Sequence, residues 1–254
     1  MDVRGNTALV TGGGSGLGEA TARHLVGLGA RIAIVDFDGG RAEAVAAEIG
    51  GIAIRADVSD AGAVSFAFDE AVSKFGEAPR AVVNCAGIGT AARILARDGA
   101  LSIDVFERTI RVNLIGTYIV MSHAAKRMAT LEPLADGERG VIVNTSSVAW
   151  QDGQLGQAAY AASKGGVASM CLPAARELAQ SGIRVMAIAP GLFKTPMMAG
   201  LPEEVAAKIP ANIPFPARLG APGEFAMMAE QIISNPFLNG TTIRLDGAAR
   251  LPPR

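Results

Sequence analysis

A chain of 254 residues, 50% hydrophobic and 19% charged, can bury a sizeable core, and α/β folds of this length commonly form one domain. A net charge of -1 and a pI near 6.2, without any run of Lys or Arg, argue against nucleic acid or an anionic membrane surface as the main partner and favour small molecules. Cys85 and Cys171 stand far apart and form no C-x-x-C, so neither a disulfide framework nor a metal site is expected, and reduced thiols in a cytosol fit best.

The first strand begins within a few residues of Met1, which leaves no room for a signal or transit peptide, and no apolar run approaches the roughly eighteen residues of a membrane span. A cytoplasmic protein is the expectation. Thr7-Ala-Leu-Val-Thr11 has a buried-strand pattern, followed by Gly12-Gly-Gly-Ser-Gly-Leu-Gly18 and a helix carrying Leu17, Ala22, Leu25 and Val26 at helical spacing. Arg31-Ile-Ala-Ile-Val-Asp36 is the next strand, and its closing acid lies eighteen residues after Gly18. Together these have the shape of a dinucleotide-binding βαβ unit.

Gly12, Ser15, Gly16, Leu17 and Gly18 are accordingly cofactor-binding candidates: glycines let the backbone approach a pyrophosphate, and a helix N-terminus offers it free N–H groups. Asp36 can accept hydrogen bonds from the adenosine ribose. Its carboxylate repels a 2′-phosphate, and no Arg or Lys in the glycine turn compensates, so the expected cofactor is NAD rather than NADP. Taken alone, the glycines would fit a merely flexible turn better; the strand, helix and acid in register favour the dinucleotide.

A third strand, Gly51-Ile-Ala-Ile-Arg-Ala-Asp57, places Asp57 and Val58 where they can contact adenine. A helix then carries Val64, Phe68, Ala71, Val72 and Phe75 on one face, a core pattern. The fourth strand, Ala81-Val-Val-Asn84, ends in Asn84-Cys85-Ala86-Gly87, small residues over which a cofactor can pass; Cys85 also suits the role of a small buried hydrophobe. Residues 90–101 read as an irregular cover for a site. Residues 104–128 read as a long helix interrupted near Asn113, either with the Asn amide bonding a water or as a structural kink alone.

After a surface loop at 131–140, a fifth strand at 141–145 leads to Ser147. Thirteen residues on, Tyr160 begins Tyr160-Ala-Ala-Ser-Lys164 in a helix that runs to about Gln180, and the four-residue spacing puts the Lys164 ammonium on the same face as the phenol. A fixed positive charge favours the phenolate, so Tyr160 is expected to ionise below its ordinary pKa of about 10 and to exchange protons near neutral pH. On spacing alone a solvated surface pair would be the better reading; Ser147 and the glycine turn change that.

Residues 184–189 form a sixth strand, ending in Pro190-Gly191-Leu-Phe193-Lys-Thr195, whose backbone and hydroxyl groups suit a carboxamide. Residues 194–216, rich in Met, Pro, Leu and Ile with helical character at 203–208, suit an apolar substrate lid. A last helix covers 223–234 and a last strand 241–246. His24 and His123 fall inside helices and read as structural.

The fold expected is α/β: a single-domain, Rossmann-type, doubly wound parallel sheet of about seven strands with helices on both faces. Ligands of such sheets bind at the carboxyl ends of the strands, and Gly12–Gly18, Asp36, Asp57, Asn84, Ser147 and Pro190 all fall there.

With these residues in place the chain resembles the short-chain dehydrogenase/reductase family along essentially its whole length. The carriers are T-G-x-x-x-G-x-G at Thr11 to Gly18, N-x-A-G at Asn84 to Gly87, and Asn113, Ser147, Tyr160 and Lys164 in that order. Cys85 departs from the second Asn of many members. The most similar branch is that of type-II 3-hydroxyacyl-CoA dehydrogenases, also described as hydroxysteroid and 2-methyl-3-hydroxybutyryl-CoA dehydrogenases, on the stretches 83–88, 156–160, 188–193, 214–220, 235–240 and 243–247.

The resemblance implies NAD-dependent interconversion of a secondary alcohol and a ketone, an acyl-CoA substrate and a homotetramer. It implies that Tyr160 takes the hydroxyl proton, Ser147 holds the substrate oxygen, Lys164 holds the nicotinamide ribose, Asn113 anchors a water and Gln154 contacts substrate. A hydroxysteroid dehydrogenase or 3-oxoacyl-carrier-protein reductase is the alternative within the enzyme class, and a non-catalytic dinucleotide-binding scaffold the alternative outside it. Arg93, Arg97, Lys194 and Lys208 are the loop cations available to coenzyme A phosphates.

Overall fold

Short apolar runs with no polar alternation have no solvent face, and in the computed structural model, which describes residues 1–199 and 213–253, they form the middle layer of the protein. Strands β1 (Thr7–Thr11), β2 (Arg31–Asp36), β3 (Ile52–Arg55), β4 (Ala81–Asn84), β5 (Gly140–Thr145), β6 (Ile183–Pro190) and β7 (Thr242–Leu245) make one seven-stranded sheet in the order β3-β2-β1-β4-β5-β6-β7. Every pairing is parallel.

Successive side chains enter opposite cores. Val10, Ile34, Val83, Val143 and Met186 pack on one face, while Leu9, Val35, Val82, Ile142 and Val185 pack on the other. Helices α1 (Gly16–Gly27), α2 (Gly39–Ile49) and the last helix cover the first face. The second is covered by α3 (Ala61–Phe75), α5 (Gly116–Met128) and α6 (Ala158–Leu178), which supply Phe68, Met121 and Cys171. Burying both faces is what makes the strands read as uniformly apolar.

Helix ends follow local chemistry. Asp38 and Asp60 accept N–H groups from the first turns of α2 and α3, and both helices stop at left-handed glycines, Gly50 and Gly76. α2 occupies a stretch to which the pattern reading assigns no element. The expected interruption at Asn113 takes a definite form: α4 (Ile103–Ile110) passes through a π-helical turn, Arg111–Ile115, into α5. The proposed lid at 194–216 lies largely on residues 200–212, outside the described residues. Lys208 and the expected helical character at 203–208 lie there as well. On its flanks, Pro196–Ala199 form a four-residue helix, α7, and Ile213 is buried. The chain resumes through α8 (Pro222–Ser234) into β7.

Both histidines have structural partners: His24 meets Glu230 at 2.7 Å, and His123 stacks on Phe68 with ring centroids 6.5 Å apart. At the amino ends of β5 and β6 a buried ion pair forms, with Arg184 donating to Glu138 Oε1 at 2.9 and 2.7 Å and to three backbone carbonyls.

From β1 through β2 to β3 the chain winds outward one way, then crosses back to β4 on the other side of β1. Crevices for ligands open where the winding reverses. Here that point lies beyond Thr11 and Asn84, which pair in register at the ends of β1 and β4.

Candidate active site

A cleft of about 1110 Å³ opens over the carboxyl ends of the strands. Ligand pockets commonly span about 300–1,000 Å³, so this one has room for a cofactor and a substrate together. Of the site candidates named from the sequence, Gly12, Ser15, Gly16, Leu17, Gly18, Asp36, Asp57, Val58, Cys85, Ala86, Gly87, Ser147, Gln154, Tyr160, Lys164, Pro190, Gly191, Phe193 and Thr195 all line it.

At one end the glycine turn packs too tightly for a side chain at Gly12 or Gly18. A Cβ on Gly18 would stand 2.2 Å from the Gly12 carbonyl oxygen, and one on Gly12, which has φ +65, would meet Ala86 N at 2.7 Å. The turn therefore presents bare backbone, and the first residues of α1 have N–H groups with no partner one turn earlier. Asp36 closes this end. Its Oδ2 accepts from Gly14 N and its Oδ1 from Asp38 N, both at 2.9 Å, so the carboxylate is fixed with lone pairs to spare. Asp57 Oδ1 accepts both the N–H and the hydroxyl of Ser59 at 2.8 Å, which orients its other oxygen. Backbone N–H donors at the helix start and a fixed acid that accepts are the groups that a pyrophosphate and a ribose need.

At the other end Ser147, just past β5, caps a short 3₁₀ turn. Its Oγ accepts from Ala149 N at 3.2 Å, so the hydroxyl proton remains to be donated. Tyr160 and Lys164 stand one turn apart on α6. Lys164 is buried and donates from Nζ to the Thr145 carbonyl at 2.8 Å. Burial draws its ammonium from 10.5 down to about 8, a nearby Cys85 working in the other direction. The Cys85 thiol is itself pushed up to about 11, chiefly by burial, and is a thiol rather than a thiolate at neutral pH.

Tyr160 departs from expectation. Burial raises its phenol above the usual value of 10.0, and a hydrogen bond with Ser147 only partly opposes this. The ammonium does not reverse the shift, because it lies against the ring, 5.9 Å from the centroid, and points to the Thr145 carbonyl. In the protein alone the pair does not favour phenolate; a further positive charge at the site would favour it.

Two candidates sit behind the cleft wall instead of on it. Asn84 is buried, donating to Asn144 Oδ1 at 2.8 Å and standing 3.4 Å from Thr11 Oγ1. Asn113 is wholly buried: its amide donates to the Ile88 carbonyl at 3.0 Å and to Ser163 Oγ at 3.2 Å, and accepts from Ile88 N at 2.8 Å. Both amide hydrogens are thus taken, while Oδ1 keeps one lone pair. Through these bonds Asn113 pins the segment that follows Gly87 against α6. Ser163 was not singled out from the sequence, although it lies inside the Tyr160–Lys164 turn and accepts this bond.

Further lining comes from residues that no motif marks. Arg108 and Arg111 bring two cations to the mouth, and Leu251, near the end of the chain, closes one wall. Among the described residues no group of His, Cys, Asp and Glu could hold a metal ion, and no helix is long and apolar enough to cross a membrane.

Residues 6–206 match the short chain dehydrogenase family. The chain belongs to it. The enzyme is 49% identical to the human 3-hydroxyacyl-CoA dehydrogenase type-2 over 99% of this chain and 97% of that one. Among solved structures, 3-hydroxyacyl-CoA dehydrogenase type-2 from Mycobacterium avium superposes with a TM-score of 0.93 at 42% identity, over 98% of both chains. A 3-ketoacyl-(acyl-carrier-protein) reductase from Brucella melitensis, complexed with NADH, superposes with a TM-score of 0.87 at 31% identity, over 98% of this chain and 100% of the other. This dehydrogenase is thus an oxidoreductase with a Rossmann-type sheet, and Ser147, Tyr160 and Lys164 line its one large cleft among the described residues.

Proposed function

We propose that the enzyme uses NAD to interconvert a 3-hydroxyacyl-CoA of short or branched chain and its 3-oxoacyl-CoA, with Ser147, Tyr160 and Lys164 as the catalytic group. The observation that carries this reading is one cleft holding a carboxylate fixed for a ribose at one end and Ser147, Tyr160 and Lys164 at the other. The relatives named for this reaction, matching over nearly the full length, support the choice of substrate.

When bound, NAD supplies the hydride acceptor and the positive charge of its nicotinamide ring. The chain's own groups handle position and the proton. The first turn of α1 would receive the pyrophosphate, Asp36 the adenosine ribose, and Lys164 a hydroxyl of the second ribose. Ser147 would donate its hydroxyl proton to the substrate oxygen and so hold that oxygen in place. Tyr160, as phenolate, would take the proton from that oxygen and be re-formed as phenol, the hydride that turns the carbinol into a ketone being the cofactor's to accept. Lys164 and the cofactor's charge together offset the burial that otherwise keeps the phenol protonated. Phosphates of the thioester's coenzyme find cations in Arg108 and Arg111 at the cleft mouth.

The reading extends to a cytoplasmic homotetramer. Ile103, Phe106, Ile115 and Tyr118 are exposed along α4, the π turn and α5, a face that suits a second copy, and two free cysteines suit a reducing compartment. The test is oxidation of NADH by acetoacetyl-CoA, run in parallel with NADPH. Turnover with a clear NADH preference is expected. No NADH oxidation, or a preference for NADPH, would contradict the proposal.

A further inference from the structure

Leu251 lies beyond β7, ninety-one positions from Tyr160 in sequence, yet it lines the same cleft. Its approach is built. After β7 the backbone turns through two left-handed residues, Gly247 (φ 59) and Ala248 (φ 65), a conformation that a non-glycine residue such as Ala248 adopts only when its surroundings hold it. Arg244 holds it: its guanidinium donates to Asp246 and to Asp152 Oδ2 at 2.8 and 2.6 Å, and to the Ala249 carbonyl at 3.1 Å.

The end of the chain is then tied to the segment that follows Ser147. Leu155 N donates to the Pro253 carbonyl at 3.1 Å, and the Gln154 side-chain amide donates to the Pro252 carbonyl at 3.0 Å. These two bonds tie the residues just after Leu251 to the segment that follows Ser147, which puts Leu251 on the Ser147 side of the cleft. An isobutyl group held there meets the substrate and not the adenosine half of a dinucleotide.

We infer that the C-terminal tail is the specificity wall of this enzyme. Leu251 contacts the apolar acyl chain beyond C3 and limits its length, and Gln154 is a positioning residue that acts through the Pro252 carbonyl. The inference rests on the acyl-CoA reading above and adds to it the group that selects among such substrates. Hydrophobic pockets discriminate by about 1–3 kcal/mol per methylene, or roughly 10–200-fold in kcat/KM, so a change of volume at one wall residue is measurable.

The experiment compares kcat/KM for acetoacetyl-CoA and 3-oxooctanoyl-CoA with NADH in the unaltered enzyme, Leu251→Ala, Leu251→Trp and Gln154→Ala, with NADH binding as the control for folding. The expected result is a ratio of long to short substrate raised about tenfold by Leu251→Ala and lowered about tenfold by Leu251→Trp. Gln154→Ala shifts the ratio in the direction of Leu251→Ala, which a purely structural role for the tail would not produce. NADH affinity stays within about twofold throughout. Ratios unchanged in both Leu251 variants, with the unaltered enzyme active, would overturn the inference while leaving the proposed function standing. An unaltered enzyme inactive on both thioesters would overturn that function and the inference with it.

Discussion

Replacing Lys164 by Met separates what the lysine does for the fold from what it does for the reaction. Lys164 is 5% exposed and its ammonium is drawn from 10.5 to about 8 by burial. At about 1.4 kcal/mol for each tenfold in proton affinity, keeping it charged at pH 7 costs the native state about 3 kcal/mol. Its hydrogen bond to the Thr145 carbonyl returns about 1.5 kcal/mol, and the apolar stem of Met fills the same channel. Lys164→Met should therefore lose turnover yet gain about 1 to 2 kcal/mol of stability at pH 7, a rise in Tm of about 3 to 6 °C. The sign with pH follows from a folded value below the unfolded one. The penalty is complete below pH 8 and disappears as pH rises through 10.5, so the unaltered enzyme gains on the variant across that interval. Chemical denaturation of both proteins without cofactor, from pH 7 to above 10, measures this. A variant less stable at pH 7, or a difference that does not change with pH, would refute the burial argument.

Asp36→Asn keeps one acceptor oxygen where the carboxylate has two, so one of Gly14 N and Asp38 N loses its partner, and it removes the charge that meets a 2′-phosphate. The ratio of kcat/KM for NADH over NADPH should fall by about tenfold or more, in line with about 1.5–3 kcal/mol for charge-assisted bonds, and an unchanged ratio would count against Asp36 as the selector. Glu138→Gln leaves the Arg184 guanidinium buried without a counter-charge, each side chain of the pair being 8% exposed. Urea unfolding should show a loss of about 3 kcal/mol with the NADH preference unaltered, and a loss under about 1 kcal/mol would mean that the three carbonyl partners of Arg184 suffice.

The sheet was legible because residues such as Leu9-Val10 and Ile142-Val143 are buried on alternate faces, so strand runs carry no polar alternation to confuse them with helices. α2 was not legible: it opens on Gly39-Gly40 beside Asp38, a turn signal, and buries only Ala42, Val45 and Ala46. At the site, helical spacing and strand ends convert positions in sequence directly into geometry, which is why Ser147, Tyr160 and Lys164 could be placed together. The direction of the Tyr160 shift could not be read that way, since desolvation depends on what packs around the phenol and not on the four-residue spacing. The partners of the Asn113 amide, Ile88 and Ser163, could not be read either, because they lie 25 and 50 positions away. Pro252 and Gln154 meet across 98 positions in the same way, through a contact that no local pattern records.

The central claim is that the Tyr160 hydroxyl moves the proton while the rest of the cleft binds. Tyr160→Phe removes one oxygen and leaves the ring packing, the Asp36 end and the Lys164 bond to Thr145 in place. Acetoacetyl-CoA-dependent NADH oxidation should drop by about 10²- to 10⁴-fold, the usual range for loss of a positioned acid or base, while NADH titrated by fluorescence binds within about threefold of the unaltered enzyme. Turnover surviving in a variant that still binds NADH would contradict the account.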